Sequence, residues 1–142
     1  MAKNKLLVDY QFDFILVAIN ASIKPHKLAW AINKHLTVNL VRDKNISLEF
    51  NEGRFLSIIN FLDETEYQKL RLLYNRSDNT DDQFSAYLLP ELKNFDFFLV
   101  LENESNTFDE NAFISSTKQI PFVQFATKVD LQTLKSRDNL IF

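Results

Sequence analysis

Two short stretches of this chain leave no polar side. Phe14 to Ile19 reads Phe-Ile-Leu-Val-Ala-Ile, and Phe97 to Leu101 reads Phe-Phe-Leu-Val-Leu. Successive side chains of a strand point to opposite sides of a sheet, so a strand that is wet on one side alternates apolar with polar. A run without alternation predicts a strand covered on both faces. The chain must therefore build a sheet and supply layers above and below it. Only two or three helical patterns are available for that purpose. The rest of the cover has to come from a folded-over meander, from the C-terminal segment or from a second subunit, and the last possibility is the physical reason to expect a dimer.

The two runs are also introduced by similar words. Phe12-Asp13-Phe14-Ile15-Leu16-Val17 is echoed by Phe95-Asp96-Phe97-Phe98-Leu99-Val100. Each copy is followed by a polar loop and a helical pattern. If the copies are equivalent, they are two strand–helix–strand halves with a meander between them, the logic of a ferredoxin-like split βαβ arrangement. Chance recurrence in a phenylalanine-rich chain is the alternative.

Composition narrows the chemistry. The chain has 142 residues, which suits one domain, with 46% hydrophobic and 25% charged residues, a globular balance. Fourteen phenylalanines predict a large aromatic core. The absence of cysteine excludes disulfides, thiolate nucleophiles and zinc–thiolate sites. Gly53 is the single glycine, so a glycine-rich phosphate cradle or dinucleotide fingerprint cannot be built. The net charge of −3 and the lack of a basic block do not suit a nucleic-acid binder. The N-terminal stretch is interrupted by Asp9, Gln11 and Asp13, unlike a signal peptide, and no apolar run approaches a membrane span. A cytoplasmic protein is expected.

Along the chain, Tyr10 to Ile19 reads as a buried strand. Ser22 is a candidate cap for a helix over His26 to Leu36, with Leu28, Ala29, Ile32 and Leu36 on one face. A short strand at Val38 to Val41 would end in a turn at Asp43-Lys44-Asn45. A β-meander follows: Ile46 to Phe50, a turn at Asn51 to Arg54, Phe55 to Leu62, and Tyr67 to Asn75, in which Leu70, Leu72 and Tyr74 face away from Lys69, Arg71 and Leu73. Arg76 to Gln83 reads as a loop, and a helical turn is expected beside Pro90. The second apolar strand then leads to a helix near Asp109 to Lys118, where Thr107 and Glu110 have capping-box spacing. Ile120 to Thr127 reads as the last strand and Asp130 to Arg137 as a final short helix. The fold class is α+β, a mostly antiparallel sheet with two or three helices and an inserted meander.

Leu89-Pro90-Glu91-Leu92-Lys93-Asn94-Phe95-Asp96-Phe97 resembles the signature of the IPExxxVDY family of small bacterial proteins. Leu, Phe and Phe stand at its first, seventh and ninth positions, while its proline, glutamate and aspartate are in register. Lys27 to Lys34 and Leu72 to Ser77 are similar to that family as well. The resemblance implies a cytosolic bacterial protein without an assigned activity, and it brings no catalytic residues.

Few residues suggest chemistry. Asp13 and Asp96 open the two apolar strands and could pair as an acid/base dyad; the simpler reading is that each accepts backbone N–H groups at a strand entrance, and Glu91 is read the same way. His26 and His35 are nine apart, which is no metal-ligand spacing. Asp78, Asp81 and Asp82 lack the remainder of a calcium loop. No metal or cofactor is therefore expected. Trp30 stands opposite Leu28, Ile32 and Leu36 on the helical wheel, on the side of Lys27 and Lys34, and is a candidate partner contact. The expected role is a non-enzymatic protein-interaction module, homodimeric or bound to another protein. A small-ligand sensor built like the ACT regulatory domains is the alternative, and a carboxylate-based enzyme comes third.

Overall fold

The computed structural model describes residues 14–51, 53–78, 86–105 and 108–142. Among the described residues, six strands form one open antiparallel sheet: β1 (Ile15–Asn20), β2 (Val41–Asn51), β3 (Arg54–Glu64), β4 (Gln68–Tyr74), β5 (Phe97–Asn103) and β6 (Phe125–Val129). Their order across the sheet is β2-β3-β4-β5-β1-β6. Two helices, α1 (Pro25–Leu36) and α2 (Glu110–Lys118), connect β1 to β2 and β5 to β6. Among the described residues, no helix is long and apolar enough to cross a membrane.

The two apolar runs lie side by side at the centre. β1 and β5 pair antiparallel, with Leu16 opposite Val100 and Ile19 opposite Phe97. Val17, Ile19, Phe97, Leu99 and Leu101 face a layer that contains Leu28, Ala29 and Ile32 of α1, with Phe113 and Ile114 of α2 packed against it. Leu16, Ala18, Phe98 and Val100 point the other way, toward Leu88, Leu89, Leu134 and Leu140. Both faces are thus covered, as the lack of alternation requires. The second cover is made by the segment before β5 and by the C-terminal segment, which forms 3₁₀ turns at Leu131–Thr133 and Arg137–Leu140 in place of the expected single short helix. The chain supplies both layers itself, which removes the original reason to invoke a second subunit.

The echo between the two runs does not survive this geometry. It aligns Leu16 with Leu99 and Val17 with Val100, yet Leu16 and Val100 belong to one layer while Val17 and Leu99 belong to the other. A shift of one residue turns every strand side chain to the opposite face. The aligned residues therefore do not occupy equivalent places, and the likeness is one of composition. Phe12 and Asp13, which open the first copy, lie outside the described residues.

Local departures from expectation have identifiable causes. Asp43-Lys44-Asn45 is not a turn but part of β2, where the register slips between Asp43 and Ile46. One extra residue on β2 opposes β3 there, a β-bulge. Buried Asn60 of β3 supports it, donating from Nδ2 to the Lys44 carbonyl at 3.3 Å. Lys24, not Ser22, occupies the N-cap position of α1, with Pro25 in the first turn. The helix ends at Thr37, which adopts left-handed φ 56°. Asn33 then fastens that end to the sheet: its Oδ1 accepts from the Leu40 N–H at 2.7 Å and its Nδ2 donates to the Leu40 carbonyl at 3.0 Å. Asp109 caps α2 through the Ala112 N–H; Thr107 lies outside the described residues. The last strand starts at Phe125 rather than Ile120, because residues 120–124 form a turn in which Phe122 takes φ 78°. Gly53 takes φ 70° between β2 and β3, the positive value expected for that hairpin.

Candidate functional site

The expected strand-entrance acids have structural partners. The Ala21 N–H donates to Asp96 Oδ2 at 2.9 Å. Asp96 itself donates its N–H to the Ile19 carbonyl and accepts the Asn75 N–H on its own carbonyl, both at 2.9 Å. One residue thereby ties together the ends of β1, β4 and β5. Asp13 lies outside the described residues, so the proposed pair has only one placed member.

Glu91 sits in the 3₁₀ turn Pro90–Leu92 and grips the C-terminal segment. Its Oε2 accepts from the Lys135 N–H at 2.5 Å and the Ser136 N–H at 2.8 Å, and its Oε1 accepts from the Ser136 hydroxyl. Partial burial alone would push this carboxyl up. The hydrogen bonds from Ser136 and Lys135 outweigh burial and hold it below the ordinary carboxylate range. In the nine-residue stretch Leu89–Phe97, proline opens a turn, glutamate fastens the C-terminal segment and aspartate links three strands. Each does architectural work.

Buried Asn75 was not singled out by sequence. Its Nδ2 donates to the carbonyls of Leu92 and Phe95, each at 3.0 Å, and its Oδ1 accepts the Leu89 N–H at 2.9 Å. It organises the whole segment that covers the second face.

Trp30 projects from the outer side of α1 and is 56% exposed. Lys34 Nζ lies 4.5 Å from the centre of its ring. Lys27 is exposed one turn earlier, and His26 and His35 are exposed as well. From Lys24 to Leu36 the chain carries three lysines and no carboxylate. The surface is basic with an aromatic centre.

A cleft opens on the opposite side of the sheet, between β4, β5 and the C-terminal residues. Its volume is about 190 Å³, and Lys69, Arg71, Val100, Glu102, Leu140 and Phe142 contribute to its walls. Lys69 stands between Glu64 and Glu102 in the strand register and pairs with Glu64 at 3.5 Å. Arg71 stands between Leu62 and Val100 and has no carboxylate partner among the described residues. Its Nη1 donates to Asn60 Oδ1 at 3.2 Å, and its guanidinium lies 5.4 Å from the centre of the Phe142 ring. The alternation of β4 already showed Lys69 and Arg71 sharing a face. What sequence could not show was that the C-terminal residues fold over that face. Among the described residues, no cluster of three or more His, Asp or Glu is placed to hold a metal ion.

Compared with known proteins, the chain matches no protein-family model, no curated protein and no solved structure.

Proposed function

We propose that the protein is a non-enzymatic interaction module whose contact surface is the outer face of α1. The supporting observation is Trp30, largely exposed and stacked with Lys34 on a helix that carries no acid. Tryptophan is enriched among residues that dominate binding energies, and Lys34 over its ring with Lys27 exposed one turn earlier favours an acidic partner. A second copy of the chain would offer such a surface at the β3–β4 turn, which carries Glu64 and Glu66, with Glu104 beside it.

We further read the chain as an IPExxxVDY-type protein of the bacterial cytosol. Pro90, Glu91 and Asp96 support this, since each has a distinct structural task that a signature could preserve.

Light scattering and partner capture with the wild type and Trp30→Ala test the interaction reading. Loss of association in the variant supports it. Equal association in both proteins would remove α1 from consideration, and a monomer that captures nothing in either form would remove the module reading altogether.

A ligand-sensing role is the second reading. The strand order β6-β1-β5-β4, with both helices on one face, has the logic of a ferredoxin-like split βαβ unit into which the β2–β3 hairpin is inserted. ACT-type sensors share that logic, and the cleft beside Arg71 favours the reading. A thermal-shift screen against amino acids and nucleotides tests it; a flat response counts against it.

A further inference from the structure

We infer that the cleft between β4, β5 and the C-terminal residues binds a small carboxylate carrying a short apolar tail, with Arg71 as its anchor. Three observations converge on this. Arg71 is half-buried and has no acidic partner among the described residues, although Lys69, two residues away on the same face, is flanked by two. A guanidinium has five N–H donors in a fixed fork, and among the described residues the hydrogen bond to Asn60 engages only one of its nitrogens. A partly desolvated guanidinium in that condition is a receptor for a planar, bidentate acceptor.

The position of Arg71 is also fixed. Asn60 Oδ1 accepts from it, while Asn60 Nδ2 reaches back to the Lys44 carbonyl and, at 3.4 Å, to Asp43 Oδ2. The Phe142 ring lies against the guanidinium. A positioned donor loses little side-chain freedom when a ligand arrives.

Size and lining choose between oxyanions. A volume of about 190 Å³ is below the roughly 300–1,000 Å³ of pockets for drug-sized ligands, so the occupant is small. Ile141 and Phe142 present apolar surface beside the guanidinium, with Val100 and Leu140 buried behind them. A naked phosphate would leave that surface without a partner and would bring additional negative charge toward Glu102. A monocarboxylate with a short hydrocarbon tail uses both the fork and the apolar surface. This face is opposite to α1, so the inference stands or falls separately from the reading of Trp30.

The test is a titration of the full chain at low ionic strength with butyrate, n-butanol and inorganic phosphate, followed by amide chemical shifts and thermal unfolding. Butyrate should perturb the amides of Arg71, Val100 and Leu140 saturably and raise the melting temperature. Butanol, with the same tail and no charge, should do neither, and phosphate should bind more weakly than butyrate. Arg71→Met should weaken butyrate about tenfold or more, the scale of a charge-assisted hydrogen bond. Arg71→Lys keeps the charge and guards against a folding failure; it should lose part of the affinity, because a lysine cannot form the bidentate pair. Equal responses to butyrate and butanol, phosphate binding as tight as butyrate, or unchanged butyrate binding in Arg71→Lys and Arg71→Met would each overturn the assignment.

Discussion

The side chain of Asn75 accepts the N–H of Leu89, fourteen positions later in the chain, at 2.9 Å, and both residues are fully buried. The same amide donates to the carbonyls of Leu92 and Phe95. The backbone from Leu88 to Phe95 has little regular structure, so its polar groups need partners of another kind. Asn75 supplies three of them. Asn75→Ala should therefore cost on the order of 3 kcal/mol, since each buried polar group left unpaired costs about 1–3 kcal/mol. Urea unfolding measures this. A loss comparable to that of an ordinary surface substitution would mean that Asn75 does not hold the segment.

The grip of Glu91 on Lys135 and Ser136 predicts a pH dependence. Its carboxyl is held below the ordinary value of 4.5, so the folded state binds its proton less readily than the unfolded state does. The stabilising contribution is thus fully present above about that value and disappears as the pH falls through the lower folded one. Glu91→Gln removes the titration. Denaturation curves of the two proteins should differ most near neutral pH and converge in acid. Amide exchange at Lys135 and Ser136 should accelerate in the variant before the rest of the sheet opens. A stability gap that persists unchanged at low pH would contradict this account.

Asp96 acts through one carboxylate oxygen on the Ala21 N–H. Asparagine keeps an oxygen acceptor at that place, and alanine does not. Asp96→Ala should destabilise by about 1.5–3 kcal/mol, the range for a hydrogen bond to a charged group, and Asp96→Asn by distinctly less. The ordering of the two variants in chemical denaturation is the measurement. Equal losses would mean that the charge itself, rather than the acceptor, matters at this strand entrance.

How far these roles could be read from the chain depends on how local their causes are. The covering of both apolar strands on two faces followed from Phe14–Ile19 and Phe97–Leu101 alone, because burial on both faces leaves a direct mark on a sequence. The inner face of α1 was legible for the same reason, through the spacing of Leu28, Ala29 and Ile32. Asp43-Lys44-Asn45 misled because its composition suits a turn, whereas its conformation is decided by Asn60, far along the chain. Asn60 did leave a trace, a polar residue within the apolar run Phe55–Leu62. Arg71 left none as a site: its surroundings are assembled by residues about seventy positions away. The Phe-Asp-Phe echo failed because letter identity carries no information about the face on which a strand residue lands.

Phe122 offers a prediction of opposite sign. It holds φ 78° in the turn before β6, a region that bulky residues rarely occupy, and the residue is 55% exposed. The left-handed conformation costs an L-residue roughly 1–2 kcal/mol, whereas glycine adopts it freely. Little apolar burial is lost when the ring of a half-exposed residue is removed, although glycine brings extra freedom to the unfolded chain. The backbone gain should prevail, and Phe122→Gly should stabilise the protein by up to about 1 kcal/mol. Phe122→Ala separates the two contributions: it removes the ring while keeping the strain, so it should be neutral or slightly destabilising. A rise in melting temperature for glycine alone assigns the effect to the backbone. A loss in both variants would mean that the ring of Phe122 contributes more through packing than its exposure indicates.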